Sequence, residues 1–105
     1  MNKLFISGNL TKDPELRVNA NGDGICNFTV AVTRRGGGEP QTDYFRVGAF
    51  GQLGDRCQEY LHKGDRCNVL GSVRLDIYED KNSGKTHATM CVNASEVEFL
   101  TRAER

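Results

Sequence analysis

The sequence predicts an all-β domain with one short helix: an OB-fold, a five-stranded Greek-key barrel with the helix between strands 3 and 4. Three observations lead there. Short runs of alternating apolar and polar residues recur along the chain, separated by stretches rich in Gly, Asn and Asp. One segment alone, Gln52 to Lys63, repeats its apolar residues at helical spacing. The chain has only 105 residues, 37% of them hydrophobic, which is enough for one modest core. A sheet this small closes on itself because nothing else in the chain could cover its edges.

Lys3 to Leu10 is the first strand, with Leu4, Ile6 and Leu10 on one face and Lys3, Phe5 and Ser7 on the other; Gly8 marks a bend or bulge. Thr11 to Pro14 is a turn, because proline fixes its own φ and biases Asp13 away from helix. Glu15 to Val18 returns briefly, and Asn19 to Gly24 supplies hairpin residues that tolerate positive φ. Ile25 to Thr33 alternates cleanly, setting Cys26, Phe28, Val30 and Val32 against a small, polar face. Arg34 to Thr42, with its run of glycines, reads as a mobile loop carrying Arg34 and Arg35 at its base.

In the helix, Leu53, Cys57, Tyr60 and Leu61 form the apolar stripe, which assigns Tyr60 to packing. His62 and Lys63 fall in the last turn, where His62 complements the helix dipole, and Gly64 caps it. Arg66 to Tyr78 is a long alternating strand, Asn82-Ser83-Gly84 a hairpin tip, and Thr86 to Ala94 the partner strand. Glu96 to Leu100 adds a final short strand with Val97 and Phe99 inward.

Composition narrows the function classes. Fourteen basic and fourteen acidic residues cancel, so any surface attractive to phosphate has to be a local stripe. No window approaches the ~18 apolar residues a membrane span needs, and the expectation is a cytoplasmic protein. Cys26, Cys57, Cys67 and Cys91 stand apart without a C-x-x-C pair, which reads as four reduced, mostly buried thiols rather than a zinc site or a disulfide framework. The aspartates are scattered without the spacing of a two-metal cluster, and Gly36-Gly37-Gly38 is followed by no Lys-Ser or Lys-Thr pair. No catalytic residue, metal or cofactor is expected.

The stretch Asp43 to Gly51 organises the rest. Tyr44, Arg46, Gly48 and Phe50 share one side of a strand, and Phe45, Val47 and Ala49 the other. The second set is an ordinary core face. The first puts two aromatic rings around a fixed positive charge, with a glycine leaving room for something flat against the backbone, as an unpaired nucleic acid requires. The competing reading lays Tyr44 and Phe50 under a neighbouring element, with Arg46 snorkelling past them.

Along nearly the whole chain, from Asn2 to about Leu100, the residues resemble the bacterial and phage single-stranded DNA-binding proteins. The resemblance rests on Gly8-Asn9-Leu10 with Asp13-Pro14-Glu15-Leu16-Arg17, on Asn27-Phe28-Thr29-Val30-Ala31, and on Phe45-Arg46-Val47 leading to Phe50-Gly51. Tyr60-Leu61-His62-Lys63-Gly64 and Gly71-Ser72-Val73-Arg74 complete it. It implies an OB-fold DNA-binding domain over residues 1–100, with residues 101–105 a short extension. It also implies sequence-tolerant, non-catalytic binding and protection of single-stranded DNA in replication, recombination and repair, by a homo-oligomer that is commonly a tetramer, with a dimer as the smaller form. Tyr44, Phe50 and Tyr78 match base-stacking positions, and Lys3, Arg46, Lys63 and Arg74 match positions that meet backbone or bases. Arg34 and Arg35 join this set on charge and loop position alone.

There are departures. No tryptophan is present, and Asp76 falls between Arg74 and Tyr78 where a basic residue is usual, which together predict weaker binding than in tryptophan-bearing relatives. The chain ends Thr101-Arg102-Ala103-Glu104-Arg105 without the acidic tail of many bacterial members, so tail-mediated recruitment of repair and replication enzymes is not expected. The alternative reading is a protein-interaction OB module, such as a replication-restart accessory subunit, that binds nucleic acid weakly.

Overall fold

Strands form where the sequence alternates. In the computed structural model, which describes residues 1–103, they are β1 (Leu4–Leu10), β2 (Glu15–Val18), β3 (Gly24–Arg34), β4 (Gln41–Phe50), β5 (Arg66–Glu79) and β6 (Thr86–Phe99). One helix, α1 (Gly51–Tyr60), separates β4 from β5. Glu104 and Arg105, the end of the expected extension, lie outside the described residues.

Pairing runs from β1 to β5, β6, β4 and β3, and β3 returns to β1, so five strands close a ring. The short β2 lies outside it, hairpinned onto β3 from Glu15↔Asn27 to Val18↔Gly24. Counting ring strands alone, the helix falls between the third and fourth, as the pattern predicts. A parallel contact, Phe45↔Met90 to Gly48↔Asn93, joins β4 to β6.

Closure has a local cause in β1, which pairs with β5 over Leu4–Asn9 and with β3 only at Asn9 and Leu10. At the changeover sits Gly8, where an added Cβ would collide with the Ala31 carbonyl oxygen. The predicted bend is therefore a close backbone approach.

The inner faces meet in one core that includes Ile6, Leu10, Phe28, Val30, Phe45, Val47, Val69 and Val92, with Cys57 and Leu61 contributed from the helix and its end. Its fully buried members are small: Val30, Val47, Val69, Val92, Cys26, Cys57 and Cys67. Each buried valine contributes roughly 1.5 to 3 kcal/mol relative to exposure, so the ring interior supplies the folding drive. All the cysteines are free and buried. Burial pushes the thiols of Cys26 and Cys67 up to about 11 and that of Cys57 up to about 12, because the thiolate would be poorly solvated there.

Three elements differ from expectation. Thr86–Phe99 is one strand rather than two: the register steps from Leu70↔Glu96 to Gly71↔Ala94, so Ser95 is an extra residue. The Ser95 hydroxyl donates to the Leu70 carbonyl at 3.1 Å, bridging the bulge that breaks the alternation.

The helix ends at Tyr60, and Leu61 is already extended. His62 and Lys63 lie in a turn, so neither sits in a last helical turn and His62 complements no dipole. The cause is Asp65, only 3% exposed, whose carboxylate accepts the His62 amide at 3.0 Å and the Ala103 amide at 2.7 Å. Gly64, at φ +88°, serves this turn and donates to the Leu10 carbonyl at 2.8 Å instead of capping the helix.

The glycine-rich loop is also shorter than expected. Arg34 pairs with Gln41 and Thr33 with Thr42, extending the β3–β4 ladder into the loop from both strands.

Candidate nucleic-acid interface

Seen from the core outward, β4 presents Tyr44, Arg46, Gly48 and Phe50 on the outer wall of the ring. Phe45, Val47 and Ala49 are buried, whereas Tyr44 is 59% and Phe50 48% exposed. The rings are open, not laid under a neighbouring element of the chain.

Register sets their neighbours. Thr29, Arg46, Cys91 and Arg74 form one row across β3, β4, β6 and β5, and Asn27, Gly48, Asn93 and Ser72 form the next. Phe50 lies opposite Ile25 beyond the glycine row, and Tyr44 opposite Ala31 on the other side. Strand spacing places the Arg46 and Arg74 backbones roughly 10 Å apart, with β6 between them. A groove of about 260 Å³ opens over these rows, lined by Arg46, Gly48, Phe50, Arg74, Asp76, Cys91 and Asn93 among others. At Gly48 an added Cβ would meet nothing closer than Asn27 Oδ1 at 3.6 Å, so the floor there is low and open.

The remaining expected residues are placed unevenly. Lys3 precedes β1 and lines a hollow with Ser72 and Asn93, extending the glycine row past β5 to the β1 side. Tyr78 stands on the hairpin beyond the ring, 54% exposed, with its ring stacked on His87 at 5.2 Å and 24°. Lys63 is exposed in the turn after α1, its backbone amide donating to Asp13 Oδ1 at 2.8 Å.

Arg34 is engaged by Asp43, donating from Nε at 2.6 Å and from Nη2 at 3.3 Å. Arg35 lines a separate hollow with Ser7, Asn9, Thr33 and Arg66 over β1 and β3, sharing no residue with the Arg46 groove. The structure thus gathers Lys3, Arg46, Phe50 and Arg74 around one stretch of wall, with Tyr44 at its edge. Arg34, Arg35, Lys63 and Tyr78 stand apart.

Charge in the groove is mixed. Arg74 Nε lies 3.4 Å from Asp76 Oδ1, and the Cys91 thiol donates to Asp76 Oδ2 at 3.4 Å. Burial first, then the hydrogen bond to Asp76, raise the Cys91 thiol above its ordinary pKa, so it stays protonated as a donor. Arg46 makes no hydrogen bond or ion pair among the described residues, leaving its donors free. Tyr60 is 46% exposed and lies outside the buried core, with its ring 5.9 Å from that of Phe99.

Sequence reasoning missed part of the wall. Asn27 and Asn93 place amides on either side of Gly48, and Lys12 and Arg17 line a second hollow of about 230 Å³ that shares Arg46 and Asn27 with the first groove. Alternation along β3 already turns Asn27 outward, but its place beside Gly48 depends on inter-strand register. No group of three or more His, Cys, Asp or Glu able to hold a metal occurs among the described residues, and no helix is long and apolar enough to cross a membrane.

The sequence matches the single-strand binding protein family over residues 1–100. It is 37% identical over 103 residues to single-stranded DNA-binding protein 2 of Clostridium acetobutylicum, covering 95% of this chain and 77% of that one. Single-stranded DNA-binding protein 1 of the same organism is 33% identical over 104 residues, covering 95% of this chain and 94% of the relative. Single-stranded DNA-binding protein 2 of Staphylococcus aureus is 36% identical over 103 residues, covering 95% and 72%.

Proposed function

The chain belongs to the single-strand binding protein family, and from that premise we propose that it binds single-stranded DNA, without catalysis and with little regard to sequence. Its five-strand ring, with the helix between the third and fourth ring strands, is the OB-fold of that family. The observation that carries the proposal is the open outer face of β4, where a guanidinium with no ion-pair partner among the described residues stands between two exposed rings. Every base has a π-face, and stacking on an aromatic side chain contributes about 1 to 3 kcal/mol per base whatever the base is.

In this reading bases stack on Tyr44 and Phe50, and on Tyr78 where the strand continues along the hairpin. Arg46, Arg74 and Lys3 track the phosphates beside them, and Arg34, Arg35 and Lys63 act at the margins. Residues 1–100 make up the binding domain. Its work is to cover and protect exposed single strands during replication, recombination and repair, at the nucleoid in the cytoplasm.

We further propose that the protein works as a homo-oligomer, as a tetramer or as a dimer. What supports this is β1, whose Leu4–Gly8 edge facing away from β5 pairs with no strand among the described residues and whose Phe5 is 64% exposed. Light scattering after size exclusion reads the mass directly.

The test of binding is titration of a labelled oligo-dT, with single- and double-stranded competitors, for the wild type, Tyr44→Ala and Phe50→Ala. Strong single-strand preference and a loss of roughly fivefold or more in each variant are expected. Equal competition by duplex, or unchanged affinity in both variants, overturns the assignment.

A further inference from the structure

We infer that Asp76 is an internal competitor for the DNA backbone: it engages Arg74 in the free protein, and a strand has to displace it to reach that guanidinium. The inference rests on the single-strand binding proposed above and specifies how that site is regulated.

Asp76 is the one acidic side chain among the residues lining the groove over Arg46 and Arg74. It lies two positions from Arg74 on the same face of β5, and its Oδ1 sits 3.4 Å from Arg74 Nε. Its other oxygen, Oδ2, accepts the Cys91 thiol at 3.4 Å. Cys91 is the residue paired with Arg74 across the ladder, so the carboxylate is held over the row from two directions.

Both partners remain solvent-accessible, at 67% for the Arg74 side chain and 49% for Asp76. An ion pair this exposed is weak and exchanges readily, so it behaves as a latch that a phosphate can open. Arg46, in the same row and also paired with Cys91, has no such partner among the described residues. The groove therefore holds one open guanidinium and one already occupied.

When a phosphate takes Arg74, Asp76 stays beside it as an uncompensated negative charge and retains a cation. Net ion release on binding is then smaller than the number of arginines suggests. For single strands the slope of log affinity against log salt is about −0.7 per neutralised phosphate, so one competing carboxylate offsets up to ~0.7 of that slope.

The experiment measures oligo-dT affinity across a potassium chloride series for the wild type, Asp76→Asn, Arg74→Ala and the double variant. Asp76→Asn is expected to bind about fivefold more tightly at low salt, which is what a unit charge ~4 Å from another is worth in water, with a slope steeper by up to ~0.7. In the Arg74→Ala background the gain should fall to about twofold or less, because no latched guanidinium remains to be released.

Unchanged or weaker binding by Asp76→Asn overturns the inference while leaving single-strand binding intact. An equal gain in both backgrounds also overturns it, because Asp76 would then act by general repulsion and not through Arg74. Absence of wild-type binding to oligo-dT overturns the binding proposal and this inference with it.

Discussion

The wall of the ring and the hairpin that leaves it are written in the same alternating pattern, yet they fold to different ends. Along β4, alternate residues are buried and exposed, with Phe45, Val47 and Ala49 inward and Tyr44, Arg46 and Phe50 outward. Along β5 the pattern holds from Cys67 to Gly71 and then fails: from Arg74 to Glu79 every residue is exposed, including Leu75 at 56% and Ile77 at 65%. Alternation fixes a face only where a core stands behind it. The outward residues of the wall are held by the burial of their neighbours, whereas Tyr78 is held mainly by its cross-strand ring contact with His87. A cross-strand pair of this kind contributes only about 0.2 to 1 kcal/mol.

The largest expected effect separates the two regions by stability. Phe28→Ala opens a cavity behind the wall and should cost about 3 to 5 kcal/mol, enough to threaten the fold. Ile77→Ala, on the hairpin, should stay within about 0.5 kcal/mol. Urea denaturation reads both, and a cost for Ile77→Ala above about 2 kcal/mol would mean that the hairpin is covered in solution.

Affinity is the next contrast. If wall residues are preorganised, Tyr44→Ala and Phe50→Ala should lose most of the ~1 to 3 kcal/mol that stacking on a ring supplies, and Tyr78→Ala less, because ordering the hairpin consumes part of its gain. Titration of the three variants on the same oligo-dT decides the order. A larger loss for Tyr78→Ala than for Tyr44→Ala would reverse it and move the centre of the interface onto the hairpin.

A smaller effect isolates the floor of the groove. At Gly48 a Cβ finds only ordinary contacts, with Asn27 Oδ1 at 3.6 Å and Ile25 Cγ2 at 3.8 Å, so Gly48→Ala should fold with stability within about 0.5 kcal/mol of wild type. It also raises the floor between Arg46 and Phe50, and oligo-dT affinity should fall about twofold to fivefold, less than on removal of a ring. Unchanged affinity would show that the strand does not approach the backbone at that point.

How much of this was legible in the sequence follows the same division. The inward faces of β3 and β4, and the outward set on β4, could be read because each depends on alternation within one strand backed by core. The end of α1 could not, because Asp65 captures the His62 amide and the Ala103 amide, and the second of these contacts spans 38 residues. The continuity of β6 was hidden by the extra residue at Ser95, which interrupts alternation without ending the strand. Arg34 and Arg35 join the site on charge and loop position alone, but alternation sends neighbouring side chains apart: one reaches Asp43 across the β3–β4 ladder, and the other reaches the hollow beside Arg66. Register and ion pairing are non-local, and a strand pattern carries neither.

The thiols give the smallest effect at neutral pH and the finest form of the comparison. Cys26, Cys57 and Cys67 lie wholly buried behind the wall, while Cys91 faces the groove under the arginine row with 8% exposure. A folded-state pKa raised from 9.0 to about 11 or 12 means that the unfolded chain releases these protons first. Their contribution to stability is therefore fully present below about pH 9 and is lost as pH rises toward 11 to 12. Urea midpoints should be level from pH 7 to 8.5 on their account and fall above pH 9. In the native protein at pH 8, an aromatic disulfide reagent should leave these three unmodified and reach Cys91 slowly, with oligo-dT slowing it further. Rapid modification of Cys57 under those conditions would show that the ring opens where the buried valines say it is closed.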